Sequence, residues 1–525
     1  MRDFYQPGRA PSYGTEAMIA TSHPLSTAAG VEVLAAGGNA VDAALAAVAV
    51  QGVVDPLMTG LGGDCFALYA PAGGEVIALN GSGRAPAAAT VERLLSLGVS
   101  EIGQTSPHAV TVPGGIAAWC RLHRDHGRLP LDRLFRRAAD YAEHGYPVTP
   151  RVAYDWAMEV ELVAGDAGAA ATFLPAPAAG ARHAQPKLAG HLRAIAARGA
   201  EAFYQGEVAA SLVGYLRSLG GLHTLEDFAA MTDGADYVAP ISTDYRGFEV
   251  MECPPNGQGV AALMILNMLA GFDLGPELAF AERLHLQAEA GKLAYHHRDA
   301  LLGDPAALPY PPDALLSPRV AEELRRRIDP ERAGPPALAS DFSHPDTVYI
   351  CAVDRDGNAI SLINSIFHGF GSTRLDPATG ILLHSRGSSF RVVEGHPNAI
   401  GPRKRPMHTI IPGMLRKDGR VVMPFGVMGG QYQAAGHAAL LSGILDRGLD
   451  IQAAIDVPRA FAYGGVLEVE PTIDPATLGR LAAKGHHLLG ADQPIGGAQA
   501  IWIDRERGLL LGGSDQRKDG MALGF

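Results

Sequence analysis

The chain has 525 residues, 47% of them hydrophobic and 19% charged, a composition that excludes a disordered protein. Its formal charge of −12 favours solubility and argues against a general polyanion-binding surface, so no nucleic-acid partner is expected. Cys65, Cys120, Cys253 and Cys351 lack metal-type spacing and lie in or near apolar segments, which reads as buried free thiols rather than a disulfide framework.

Residues 1–9 contain no apolar core of the kind a signal peptide needs. Residues 41–54 are apolar apart from Asp42 and Gln51, too short a run to span a bilayer, and fit a buried helix. The expectation is a cytoplasmic protein without a membrane partner. Residues 27–54 read as two short helices separated by Gly37-Gly38. Gly60-Leu61-Gly62-Gly63-Asp64 then leads into an alternating strand at 65–69, and Gly73-Gly74 turns the chain into a second strand at 76–79. That glycine-rich element has neither the Lys-Ser/Thr of a Walker loop nor the strand-first order of a dinucleotide site, so it predicts close backbone packing at a pocket wall.

Residues 113–230 read as mainly helical, with helical spacing at 131–139 and 187–198, and an Ala-, Gly- and Pro-rich irregular passage at 163–184. A strand at 248–252 runs into Pro254-Pro255-Asn256-Gly257-Gln258-Gly259, and helical spacing resumes at 260–269 and 281–295. Residues 336–346 show no strong element. Beyond them come strands at 348–353, 359–366, 380–383, 420–424, 426–430, 466–470, 498–503 and 508–512, with helices at 432–445 and 451–455. Helix-rich layers around strands predict sheets packed on each other and covered by helices. There is no internal repeat.

Thr347 heads the hairpin formed by the strands at 348–353 and 359–366, whose turn is Asp354-Arg355-Asp356-Gly357-Asn358. A hydroxyl there is where a self-cleaving amidohydrolase needs its nucleophile. Cutting the Asp346–Thr347 bond would give Thr347 a free α-amine beside its own Oγ, nucleophile and base in one residue. Threonines also begin many ordinary strands. None of the 19 histidines forms an HExxH motif or another metal cluster legible in the sequence, and this chemistry requires no metal or cofactor.

Taken in order, Thr21-Ser22-His23-Pro24-Leu25-Ser26-Thr27, Gly37-Gly38-Asn39-Ala40-Val41-Asp42, residues 60–66, Val112-Pro113-Gly114-Gly115, Asn256-Gly257-Gln258-Gly259, Asp346-Thr347, Phe370-Gly371-Ser372, Arg405-Pro406-Met407, residues 426–430 and Ser514-Asp515-Gln516-Arg517-Lys518-Asp519-Gly520 resemble the gamma-glutamyltransferase family of N-terminal-nucleophile hydrolases. The resemblance covers nearly the whole chain. It implies an α+β fold, a four-layer α-β-β-α sandwich. It also implies a proenzyme cut into a large piece, 1–346, and a small piece, 347–525, which stay paired as one intertwined catalytic domain, with further dimerisation left open. Thr347 would attack a small-molecule amide, form an acyl-enzyme and release the acyl group to water or an amine. Gly429 and Gly430 would donate to the oxyanion, although a tight turn needing positive φ explains the same pair. Ser365 stands where the family has a hydroxyl supporting the nucleophile's amine, and a plain strand serine is the other reading.

The substrate pocket departs from the family pattern. Ser82 occupies the place of a carboxylate-binding arginine, and Arg84 lies two residues later. The segment His384-Ser385-Arg386-Gly387-Ser388-Ser389-Phe390 has no carboxylate where the family holds an ammonium. His408-Thr409 replaces a pair of serines, and Phe367-His368 stands where Asn and Thr are usual. Losing the carboxylate and gaining Arg386 disfavours an ammonium and keeps affinity for an anion. These segments look most like the oxamate amidohydrolase-like branch, hydrolysing a small carboxylate-bearing amide. The alternatives are a glutathione hydrolase or γ-glutamyltransferase, and a non-catalytic binding protein of the same fold.

Overall fold

Alternation along the central strands sets the layers. In Asp346–Val353, the side chains of Tyr349, Cys351 and Val353 join one apolar cluster, and those of Val348, Ile350 and Ala352 join another. Asp64–Ala70 divides the same way, Phe66, Leu68 and Ala70 against Cys65, Ala67 and Tyr69. Successive strand residues point to opposite faces, so a strand buried on both must lie between two layers. The first cluster is shared with Met414, Met428 and Ile501 of a second sheet. The second lies under the helices Pro24–Ala35, Ala40–Val54, Gly115–His126 and Leu131–His144. The outer face of the second sheet, including Leu415, Met423, Phe425 and Val427, packs beneath Gly259–Leu269, Phe280–Leu301 and Gln433–Leu445. The result is the expected α-β-β-α sandwich.

This architecture comes from a computed structural model, which describes residues 8–309, 311–335 and 346–525. The polar stretch 336–345 and residues 1–7, both interpreted from sequence above, lie outside the described residues. One seven-stranded sheet runs in the order Met521–Gly524, Met18–Thr21, Asp346–Val353, Ala359–Phe367, Asp64–Ala70, Ile77–Gly81, Asp236–Val238. The other runs Ser12–Gly14, Leu509–Ser514, Gly497–Asp504, Arg420–Met428, Gly413–Lys417, Phe248–Glu252, Ile241–Tyr245. Both sheets therefore interleave strands from before and after Thr347.

The hairpin behind Thr347 is tied to the helical layer through its turn. Asp354 accepts from Asp356 N and Asn358 N, and its second oxygen accepts from Ala40 N at 2.9 Å, at the start of helix Ala40–Val54. Asn39 and Asp42 close a reciprocal capping box on that helix, at 2.9 and 3.0 Å. The helix break expected at Gly37-Gly38 is present, and the free, largely buried state of the four cysteines also holds.

Two expectations fail locally. The passage 163–184 carries a real helix, Ala167–Phe173, started by Asp166 accepting from Ala169 N, with Phe173 buried against Trp156 and Phe370. Its Ala- and Gly-rich sequence hides this, because one aromatic supplies most of the anchoring surface. Residues 380–383 form no strand; Leu382 and Leu383 make only isolated bridges, to Leu375 and Gly62. A Cβ on Gly62 would sit 2.2 Å from Leu382 O, and one on Gly63 would sit 2.6 Å from Ser365 O. The glycine-rich element is thus a close-packing element beside the Thr347 hairpin, as its sequence suggests.

Candidate active site

Register places Thr347 on an irregularity. Asp346 pairs with Phe367 but Val348 pairs with Asn364, so Ser365 and Ile366 together face the single Thr347. Such a bulge re-aims side chains at a strand end. Thr347 Oγ1 donates to Ser365 Oγ at 3.4 Å and accepts from Gln433 Nε2 at 3.3 Å, both long hydrogen bonds. Ser365 Oγ also accepts from Phe367 N at 2.9 Å and from Arg386 Nη2 at 3.5 Å, and Arg386 Nη1 donates to Thr409 Oγ1 at 3.1 Å. Thr347 is 2% exposed in the uncut chain. Thr347, Ser365, Arg386 and Thr409, singled out from four separate stretches of sequence, converge here.

Arg386 begins a short 3-10 turn, Arg386–Ser389, pinned by Ser389 Oγ to Arg386 O and Met407 O. Its guanidinium carbon lies 3.8 Å from the centroid of the Phe367 ring, a stacking contact that a planar cation favours. Phe367 holds a φ of 81°, and Phe370, Gly371 and Thr373 are also left-handed, at 52°, 54° and 59°. Three non-glycine residues in that region mark a segment held under strain by its surroundings. Arg386 is fully buried, has no ion pair among the described residues, and its Nε has no hydrogen-bond partner. Burial pushes the guanidinium down to about 9, against the opposing pull of Asp64.

Two imidazoles next to this cation are kept neutral. Burial, reinforced by Arg386, pushes both His368 and His408 down to about 3. His368 Nδ1 meets Ser385 Oγ at 2.8 Å, and the His368 ring lies against Phe367. His408 Nε2 lies 3.1 Å from Asp64 Oδ2, without hydrogen-bond alignment, and His384 Nδ1 lies 3.3 Å from the same oxygen. The other Asp64 oxygen accepts from Gly83 N and Gly114 N, at 2.8 and 2.9 Å. Burial works against the charge on Asp64, but His384 and His408 outweigh it and hold the carboxyl well below its usual range. This is the acid nearest in influence to Arg386, and it is already committed.

Ser82 and Arg84 sit differently from the residues above. The Ser82 hydroxyl donates to Asn80 Oδ1 at 2.7 Å and accepts from Asn256 Nδ2 and Arg405 Nη1, at 3.2 and 3.0 Å, so it is saturated within the wall. The Arg84 guanidinium turns to Asp236 and Arg403 O, its side chain 36% exposed, and makes no contact with the Thr347 group.

Gly429 and Gly430 have φ of 110° and 53°, and a Cβ on Gly429 would come within 2.7 Å of Gly496 Cα. Only glycine fits. Tyr432 N donates to Gly429 O, and Gln258 Nε2 donates to both Gly430 O and Thr409 O, at 2.9 and 2.7 Å. Gln258 is held in turn by Arg298 Nη1 at 2.6 Å. The Asn256–Gln258 motif thus acts as a clamp on the glycine turn. Gln433, three residues beyond Gly430, reaches Thr347, which puts the glycine turn and Thr347 side by side. Gln433 and Asp64 are the polar residues that sequence reading passed over. The signal for Gln433 was its place as first residue of the helix entered from the glycine turn.

The gamma-glutamyltranspeptidase family model matches residues 26–525. The chain is 38% identical to a glutathione hydrolase-like YwrD proenzyme of Bacillus subtilis, covering 98% of this chain and 99% of that one. It is 36% identical to an oxamate amidohydrolase proenzyme of Klebsiella pneumoniae, over 97% and 99%. The crystal structure of a cephalosporin acylase from Bacillus halodurans superposes with a TM-score of 0.94 at 38% identity, over 100% of this chain and 98% of that one.

Proposed function

The chain belongs to the gamma-glutamyltranspeptidase family, and from that premise we propose that it is a self-cleaving N-terminal-threonine amidohydrolase whose substrate is a small amide with a carboxylate on its acyl side, as in oxamate. Arg386 carries this reading: a fully buried cation, two hydrogen bonds from the nucleophile's surroundings, with no ion pair among the described residues. A buried charge without a counter-ion is costly, and a substrate carboxylate would supply the missing partner in bidentate form. An ammonium-bearing γ-glutamyl group would instead need a free carboxylate, and Asp64 is bound to two backbone amides and lies against two imidazoles.

The chemistry begins on the chain itself. Thr347 Oγ attacks the Asp346 carbonyl and the acyl group passes from nitrogen to oxygen, which frees the Thr347 amine; water then hydrolyses the ester, releasing the Asp346 carboxylate and restoring the Thr347 hydroxyl. That amine has a reference pKa of about 7.7–8.0, and the Arg386 charge disfavours its protonated form, so it serves as base near neutrality. It accepts the Oγ proton as Oγ attacks the substrate carbonyl, and passes it to the leaving nitrogen. Water, or an amine acceptor, then takes the acyl group from Thr347. The amides of Gly429 and Gly430 face the developing oxyanion, where one donor contributes about 2.7–4 kcal/mol. Pieces 1–346 and 347–525 remain together throughout.

The likeness to a glutathione hydrolase-like proenzyme favours a second reading, glutathione as acyl donor. Assaying the mature protein with oxamate, glutathione, γ-glutamyl peptides and acyl side-chain amides separates the two. Faster turnover of oxamate-type amides is expected; rapid glutamate release from glutathione, with no oxamate turnover, would overturn the carboxylate-pocket reading.

A further inference from the structure

Helix Phe280–Leu301 presents His285 and Glu289 one turn apart on its buried face. The loop after helix Pro475–Ala483 brings in His486. One ligand atom from each of the three lies within 4.8 Å of the other two. The sequence hides the group because its third member is about two hundred residues away from the first two.

The geometry points to a binding site for a divalent cation of the zinc class, held by His285 Nδ1, His486 Nε2 and a Glu289 carboxylate oxygen. Three features support it. His285 Nε2 lies 2.8 Å from Asp329 O, which fixes the tautomer and leaves Nδ1 with a lone pair, the arrangement typical of a ligating histidine. Nδ1 and His486 Nε2 are 2.8 Å apart, a separation that opens slightly when both point at one ion. Glu289 Oε2 is held by Gly334 N at 3.0 Å, while Oε1 is buried with no aligned hydrogen bond. Lys292 Nζ lies 2.6 Å from Oε1 but also donates to Gly334 O at 2.8 Å, so it keeps a partner if an ion takes the carboxylate. His486 and Lys292 line a cavity of about 140 Å³, from which water completes four-coordination. Two ligands precede Thr347 and one follows it, so the ion would join the parts of the chain on either side of the proposed cut.

The test uses full-length protein stripped with a chelator and titrated with Co²⁺, followed by visible absorption and by metal analysis after dialysis, then by displacement with Zn²⁺. One equivalent with a four-coordinate spectrum is expected. Glu289→Gln and His486→Gln should each weaken it about tenfold or more. Lys292→Met, which removes the cation competing for Glu289, should bind several-fold more tightly. The rival arrangement is an imidazole–imidazole hydrogen bond beside a Glu–Lys pair. It would show as no stoichiometric uptake by either wild type or Lys292→Met, or as uptake spread over exposed histidines and unchanged in the two glutamine variants. Either outcome overturns the site. The wild-type and Lys292→Met measurements decide the matter even if a glutamine variant fails to fold.

Discussion

Two buried arginines in this protein have opposite fates. Arg517, in the carboxy-terminal motif, is clasped by Glu470 at 2.5 and 2.6 Å and by Asp515 at 3.2 Å. Arg459 completes that cluster from the other side of Asp515. Burial works against the charge of Arg517, but Asp515 and Glu470 outweigh it and push the guanidinium up. Arg386 is more deeply buried, meets only hydroxyls and an aromatic face, and is pushed down. The residue type is shared and the environments are opposite. A cation matched by the protein's own acids holds structure; on the proposed reading, the one left unmatched beside Thr347 is kept for a substrate carboxylate.

The largest test of this contrast removes the group that the unmatched cation serves. Thr347→Ala should lower turnover by a factor on the order of 10⁶ and leave the chain whole by intact-mass measurement. Turnover that survives would strip the position of Arg386 of its meaning. Next in size, Arg517→Ala should destabilise the fold by about 3–5 kcal/mol in denaturant titration, since Glu470 and Asp515 lose a shared partner. Arg386→Met should cost no stability, yet raise KM for a carboxylate-bearing amide by an amount equivalent to about 2–5 kcal/mol. A neutral amide of the same size should be little affected. If the two variants exchange these effects, the contrast is wrong. Gln433→Leu should lower kcat by about fivefold, the worth of one hydrogen bond of roughly 1 kcal/mol to Thr347 Oγ1. The smallest effect is on pH dependence. On the proposed mechanism the nearby Arg386 charge should disfavour protonation of the mature Thr347 amine, so kcat/KM should reach its alkaline plateau at lower pH in wild type than in Arg386→Met, whose rising limb should move up.

Much of the layer order was legible because apolar runs of strand and helix period are local properties. The Thr347 hairpin, the helices flanking Gly37-Gly38 and the close approach at Gly62 and Gly63 all follow from neighbouring residues. Side-chain destination is not local. Nothing around Ser82 announces that Asn80, Asn256 and Arg405 saturate its hydroxyl, or that Asp236, 152 residues away, draws Arg84 outward. The bulge opposite Thr347 is equally silent, since it is a mismatch of register between two strands that each look regular. Asp64 was read only as the end of a glycine-rich element. Its role depends on two histidines more than 300 residues further on.

The interleaved strand order has a mechanical outcome. Were the backbone broken ahead of Thr347, neither product could depart without unzipping Met18–Thr21 from Asp346–Val353 and Gly413–Lys417 from Phe248–Glu252. Dissociation and unfolding would then be one event, with one melting transition whose midpoint rises with protein concentration, as mass action requires when two chains separate. The new terminus would stay moored where it was made.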